Sequence, residues 1–265
     1  MAKKKRKLRI SAVISLLAVL FVVIFAIVKL FDKPKTNEVA EVEEVQETQE
    51  VVVEETPTPQ PTINPEEDER FFDVNSYLVV ANKKHKLPDG YEPSDLTIPN
   101  VEMRYNQWSL RAEASTKLEE MFAAAQKDDV YLVMGSGYRG EDFQSVLYNS
   151  YCDQYGCDVA DTISSRPGYS DHQTGLATDL CGQDESYDLS VSFEETKEGI
   201  WLKDNAHKFG FIMRYPKGKE EITGYAYEPW HFRYIGVDDA TEIYNMGEFY
   251  SFEEYYGISG GDYAD

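Results

Sequence analysis

From Ile10 to Phe31 the chain is almost wholly apolar until Lys29, and the residues ahead of that run, MAKKKRKLR, are mostly basic. Crossing a bilayer as a helix takes about 20 apolar residues, and a basic flank stays on the cytoplasmic side. The sequence therefore predicts a cytoplasmic tail over 1–9 and a transmembrane anchor over 10–31, with everything after it outside the cell. A cleaved signal peptide is the competing reading. Its apolar region would run for ~7–15 residues before a small-residue cleavage site, whereas FAIVKLFDK offers a poor one.

The next segment narrows the fold further. Residues 32–70 are rich in Glu, Val, Thr and Pro, show no helical apolar stripe and carry −10. Such a stretch cannot bury enough apolar surface to order itself, and it reads as an extended stalk. What remains, 71–265, is roughly 195 residues, the size of a single domain. Of the net charge of −22, residues 1–31 contribute +7 and the stalk −10, leaving −19 on this body. A surface this acidic repels nucleic-acid phosphates, so no DNA or RNA partner is expected.

Within 71–265 the pattern mixes helices and strands. Leu110, Ala114, Leu118, Met121, Phe122 and Ala125 recur at spacings of three and four, which predicts an amphipathic helix from Ser109 to about Lys127. VYLVMGSGYR reads as a short buried strand, Glu141–Tyr155 as a second helix, and the stretch from about Leu176 as a strand with Leu176, Thr178 and Leu180 on one face. Glu194–Phe209 reads as a third helix stopped by Gly210. FIMRYP and WHFRYIG are two more strands, and Asp238–Met246 is a last helix. Without βαβ regularity this favours an α+β fold. The Tyr-rich tail from Phe249 reads as a docking segment with a frayed end.

Three cysteines, Cys152, Cys157 and Cys181, fall in the exported part. A disulfide is chemically allowed there, and an odd count leaves at least one thiol free or bridged to another chain. The sequence does not say which two pair. C-x4-C without a second pair is not a structural zinc signature.

Only four histidines are present. His172 lies in PGYSDHQTGLATDL and His231 in YEPWHFRY, each with carboxylates close by in sequence. Zinc takes imidazole and carboxylate, and a catalytic site keeps three protein ligands and an open position. His172 and Asp179 flank Gly175, which would let the chain turn back and bring both onto one ion, with His231 as a third ligand from a distant strand. Glu228 precedes His231 by three residues. In a flat strand that spacing faces opposite sides, so Glu228 is expected in the turn ahead of the strand, within reach of a water as general base. Arg139, after GSGY, could bind a substrate carboxylate or a developing oxyanion. A surface ion pair is its other reading. H-x6-D and E-x-x-H are weak patterns by themselves. His207, near the end of the third helix, suits the helix dipole as an imidazolium, and His85, in a Lys-rich loop, reads as solvated. GISGG around Ser259 lacks the strand and helix that a nucleophile elbow needs, and no S-x-x-K motif is present.

SGYRGEDFQ, SRPGYSDHQTGLATDL and WLKDNAHKFGFIMRYPKGKEEITGYAYEPWHFRYIG together resemble the VanY-type D-alanyl-D-alanine carboxypeptidases, which include LdcB-type L,D-carboxypeptidases. S-x-H-x-x-G-x-A-x-D and E-P-W-H stand in the family's order, and the likeness covers roughly 75–250. The resemblance implies a small antiparallel sheet with packed helices and zinc on His172, Asp179 and His231. It also implies Glu228 as catalytic base and Arg139 as a substrate-binding, charge-stabilising residue. Gln144, Ser170, Tyr215 and Trp230 resemble positions lining the family's substrate cleft. Asp171 stands where relatives often have Glu, and it is not a ligand position. The implied activity is removal of the terminal D-alanine from peptidoglycan stem peptides by a D,D-carboxypeptidase. L,D-carboxypeptidase, or D,D-dipeptidase or endopeptidase, specificities are the alternatives, and a non-catalytic wall-binding module is the reading from another class.

Overall fold

The computed structural model describes residues 64–247 and 250–263. The anchor predicted over 10–31 lies outside the described residues, as does the stalk up to residue 63. Among the described residues no helix is long and apolar enough to cross a membrane.

In chain order the elements are β1 (Leu96–Thr97), β2 (Leu110–Arg111), α1 (Ala112–Lys127), β3 (Val133–Ser136), α2 (Glu141–Tyr155), α3 (Cys157–Ile163) and β4 (Ala177–Cys181). They continue with α4 (Lys197–Asn205), β5 (Phe211–Met213), α5 (Glu220–Thr223), β6 (His231–Tyr234), α6 (Val237–Met246) and α7 (Phe252–Tyr256). β1 and β2 form a small antiparallel pair. The main sheet has the order β3-β4-β6-β5, antiparallel at every step. This is the expected α+β architecture.

Strand alternation sorts the sheet's two faces. Leu180 of β4, Phe232 and Tyr234 of β6 and Phe211 of β5 join the main apolar cluster with Leu110, Ala114, Leu118, Met121 and Ala125. Because successive side chains point to opposite faces, Asp179, His231 and Arg233 are turned away from that cluster. A second cluster, with Phe71, Leu78, Val80, Ile212, Ile235, Ile243, Phe252 and Ile258, joins the start and the end of the domain. β4 is buried along all five residues, as a central strand should be.

Several boundaries differ from expectation. α1 starts at Ala112 rather than Ser109 because Leu110 and Arg111 pair with β1. The helix expected over 194–209 is divided: Val191–Glu195 is a 3-10 turn, and Thr196 caps α4 by accepting from the Gly199 amide. A further 3-10 turn, Ala206–Phe209, ends at Gly210, which is left-handed as predicted. Residues 64–70, placed in the stalk by composition, are tied to the domain. Glu66 accepts from the Ser259 amide at 2.7 Å and meets His85 Nε2 at 2.9 Å. His85 is thus bound on both ring nitrogens, the other facing Asn82 Oδ1 at 2.9 Å, rather than solvated. His207 stacks on Tyr244 at 3.7 Å, and burial pushes its pKa down, so the imidazolium expected from the helix dipole is not favoured. Over its described residues 250–263 the tail docks as expected, with Phe252 and Ile258 in the second cluster and a Ser251–Glu254 capping box on α7; its last two residues lie outside the described ones. Cys152 and Cys157 are bridged across the α2–α3 turn, and Cys181 is buried and free.

Candidate metal centre

Three segments converge on the polar side of β4. A β-bulge between Met134 and Ser136 sets Ser136 opposite Asp179, and on the other edge of β4 Asp179 pairs with His231. His172 comes from the 3-10 turn Asp171–Thr174, which Gly175 ends in the left-handed region at φ 68°. That glycine is the turn-back point the sequence indicated. Gly137 is required for a different reason: a Cβ there would stand 2.7 Å from the Ser109 carbonyl. Its own carbonyl accepts from His172 Nδ1 at 2.8 Å, which fixes the ring and leaves Nε2 as the free nitrogen.

Asp179 Oδ1 is buried without any hydrogen-bond partner, yet His172 Nε2 stands 3.4 Å from it and His231 Nδ1 3.5 Å from it. Ligand atoms around a tetrahedral ion held at ~2.0–2.1 Å stand roughly 3.3 Å apart. The three donors lie within 4.8 Å of one another and are all buried. Two imidazoles and one carboxylate of this spacing fit zinc. The other oxygen, Oδ2, accepts from Ser136 Oγ at 2.5 Å and pairs with Arg139 Nη1 at 3.5 Å.

Electrostatics agree with a site built for positive charge. Burial alone would raise the Asp179 carboxyl, but the two imidazoles and Arg139 hold it well below the usual carboxylate range. Burial and the Arg139 guanidinium push His172 down to about 4. Burial opposes a charged His231 too, but Asp171, Glu228 and Asp179 outweigh it and push that ring up to about 9. Glu228 stands in a turn closed by its carbonyl accepting from the His231 amide at 3.2 Å, as its place ahead of Pro229 suggested. Its carboxylate lies 3.2 Å from His231 Nδ1, and burial raises its pKa.

Residues 107–237 match the family described as VanY: D-alanyl-D-alanine carboxypeptidase. YodJ of Bacillus subtilis (strain 168), named only provisionally as a carboxypeptidase, is 43% identical over 66% of this chain and 66% of its own length. The solved LdcB LD-carboxypeptidase is 41% identical, covering 70% of this chain and 88% of that one, with a TM-score of 0.65. A zinc-bound mutant of VanY from the VanB-type resistance cassette is 33% identical, covering 68% and 98%, with a TM-score of 0.56. This chain belongs to the VanY family. It spans between 50% and 66% of the length of the first three curated relatives it matches.

In this VanY-family domain the other residues singled out in the sequence fall into two groups. Arg139 is at the centre, donating Nη1 to Ser136 Oγ at 3.2 Å. Tyr215 lies edge-on to the His231 ring at 4.7 Å, and its carbonyl accepts from the Glu228 amide. Gln144 and Ser170 are buried beside the centre, and Trp230 is half-buried. Gln144 is wholly buried behind Arg139, accepting from its Nε at 3.2 Å and donating to Ser164 Oγ and the Ser165 carbonyl. Ser170 is buried ahead of the His172 turn, and Trp230 packs on the main apolar cluster.

Sequence reasoning missed a buried charge cluster behind the VanY-family centre. Asp171, noted in the sequence only as a non-ligand position, faces His231 Nε2 at 3.4 Å and is paired to Arg233 and Arg214. A signal was available: FIMRYP and WHFRYIG each set one arginine in an apolar strand, and a buried charge requires a partner.

Proposed function

We propose that this chain is a zinc-dependent carboxypeptidase that removes the C-terminal D-alanine from peptidoglycan stem peptides, acting as a D,D-carboxypeptidase. One observation carries the reading: a buried Asp179 oxygen with no hydrogen-bond partner, faced by one nitrogen each of His172 and His231. In this reading those three residues hold the metal through Nε2, Oδ1 and Nδ1. Zinc, when bound, supplies a water acidified towards neutrality and polarises the scissile carbonyl. Glu228 accepts the water's proton as the oxygen attacks the carbonyl carbon, then returns it to the nitrogen as the C–N bond breaks. Its raised pKa suits both transfers. Arg139 steadies the negative oxygen or the free carboxylate of the departing residue.

An L,D-carboxypeptidase acting on a tetrapeptide stem is the second reading. The greater identity to the LdcB structure, 41% against 33% for the VanY structure, favours it. Both activities release D-alanine, so incubation of the purified protein with tetrapeptide and pentapeptide muropeptides, followed by mass spectrometry, separates them. Activity that persists in a chelator, or in a Glu228→Ala variant at the parent's rate, sinks the hydrolase reading altogether.

We further place residues 10–31 as a membrane anchor with 1–9 inside and the catalytic domain outside, carried on an acidic tether. The apolar run and its basic flank support this. The Cys152–Cys157 bridge supports it too, since disulfides persist in oxidising compartments. Protease added to intact cells should degrade the domain; a protected domain in the soluble fraction refutes the placement.

A further inference from the structure

We propose that Glu253, on the C-terminal helix α7, is a positioning residue of the metal centre, neutralising Arg214 so that the second oxygen of Asp171 stays on His231. The inference rests on the zinc reading above and extends it to a helix beyond the stretch 107–237 that matches the family.

Four charged side chains, Asp171, Arg214, Arg233 and Glu253, are almost fully buried behind His231, at 1%, 1%, 1% and 2% exposure. Two are cations and two are anions, so the cluster is neutral only when complete. Arg214 makes a bidentate pair with Glu253, Nη1 to Oε2 at 2.8 Å and Nη2 to Oε1 at 2.6 Å. Asn82 Nδ2 donates to the same carboxylate at 3.0 Å. Arg233 is paired to Asp171 Oδ1, and its Nη2 also donates to the carbonyls of Tyr77 and Val79 at 3.0 and 2.7 Å.

The second oxygen of Asp171 decides the matter. Oδ2 lies 3.4 Å from His231 Nε2 and 3.8 Å from Arg214 Nε. These two donors compete for one oxygen, and Arg214 Nε has no other hydrogen-bond partner. With Glu253 holding the far end of the guanidinium, Arg214 stays at ion-pair distance and the oxygen remains with His231. Without that carboxylate, Arg214 carries an uncompensated charge in a buried site, and Asp171 is the anion left to answer it. Oδ2 then moves off the imidazole. A carboxylate on the far nitrogen of a metal-binding histidine orients the ring and raises its basicity, and losing such a partner typically costs about 10–100-fold in metal affinity. Glu253 therefore acts on the metal at third hand.

The test is a zinc competition titration of the full-length protein against a chelating dye. Glu253→Gln, which keeps the side chain's size and removes its charge, should weaken zinc binding about tenfold, with the metal-free protein retaining the parent's circular dichroism. In an Asp171→Asn background the same change should add less than about twofold, because the route runs through Asp171. Ser251→Ala, which removes the α7 capping box without touching the charges, should leave zinc affinity at the parent's value. Should Glu253→Gln not fold, Glu253→Asp, which draws the carboxylate back from Arg214 by one methylene, carries the same expectation in smaller degree. Unchanged affinity in the folded variant, or an equal loss in Ser251→Ala, overturns the positioning role. A parent that binds no zinc overturns the metal reading itself, so the two failures are distinct.

Discussion

Gln144→Leu removes a side chain of similar volume and three hydrogen bonds at once. Two of its partners, Ser164 and Ser165, are each 8% exposed, and the amide donates to them at 3.1 and 2.8 Å. Stranding a buried polar group costs about 1–3 kcal/mol. The Ser164 hydroxyl can rotate to another partner, whereas the Ser165 carbonyl cannot. The third partner, Arg139, has a side chain 15% exposed and can turn to water, so its loss adds little to stability. The expected destabilisation is about 3 kcal/mol, which at a urea m-value of about 2 kcal/mol/M lowers the midpoint by roughly 1.5 M. Arg139 keeps its contacts to Ser136 and Asp179 but loses the acceptor on Nε. A charge-assisted hydrogen bond of about 1.5 kcal/mol, if fully expressed in the transition state, amounts to about a tenfold fall in kcat/KM. Urea denaturation and steady-state hydrolysis of a muropeptide read the two effects separately. A parental midpoint with a raised KM would show Gln144 facing the substrate rather than bracing Arg139.

Glu228→Gln should lower kcat by about 10²–10⁴-fold while zinc content, measured by metal analysis, stays stoichiometric; a loss of metal instead would make Glu228 a ligand. At pH 7 His231, with its pKa pushed up to about 9, carries the second proton of an imidazolium, and His172, pushed down to about 4, is neutral. Zinc must displace that proton, so affinity should fall about tenfold per unit as pH drops below 9. Calorimetry in two buffers of different ionisation enthalpy should then report release of about one proton per zinc, and equal heats in both would contradict it. Cys152→Ser opens a bridge between residues only 5 apart, for which chain entropy gives about 2 kcal/mol of lost stability. A denaturation midpoint within error of the parent's would show that α2 and α3 hold their turn without it.

What the sequence disclosed and what it hid divide along sequence distance. α2 spans the predicted Glu141–Tyr155, and α1 ends at the predicted Lys127, because apolar spacing is local information. α3 was missed because a seven-residue helix after Gly156 has too few turns to show a period. α7 could have been found, since Ser251-Phe252-Glu253-Glu254 spells a capping box. His172, Asp179, His231 and Glu228 were legible mainly because their flanking motifs resemble a known family. The residues behind them were not: Asp171 meets Arg233 across 62 positions, and Arg214 meets Glu253 across 39. Neither pairing leaves a local pattern. For Gln144 the motif gave proximity to the site, while its bonds to Arg139, Ser164 and Ser165 were visible only in the structure.

The pairing of β4 with β6 sets Ala177 opposite Arg233, Thr178 opposite Phe232 and Asp179 opposite His231. Adding or deleting one residue inside either strand would exchange the faces, putting Phe232 in the polar site and His231 into the apolar cluster. Insertions and deletions are therefore forbidden across 177–181 and 231–234, whatever residues are used. The connections 182–190 and 216–219 carry no such restriction. Variation in the length of this domain should accumulate in those loops, making residue count within two short strands a stricter requirement than residue identity over most of the chain.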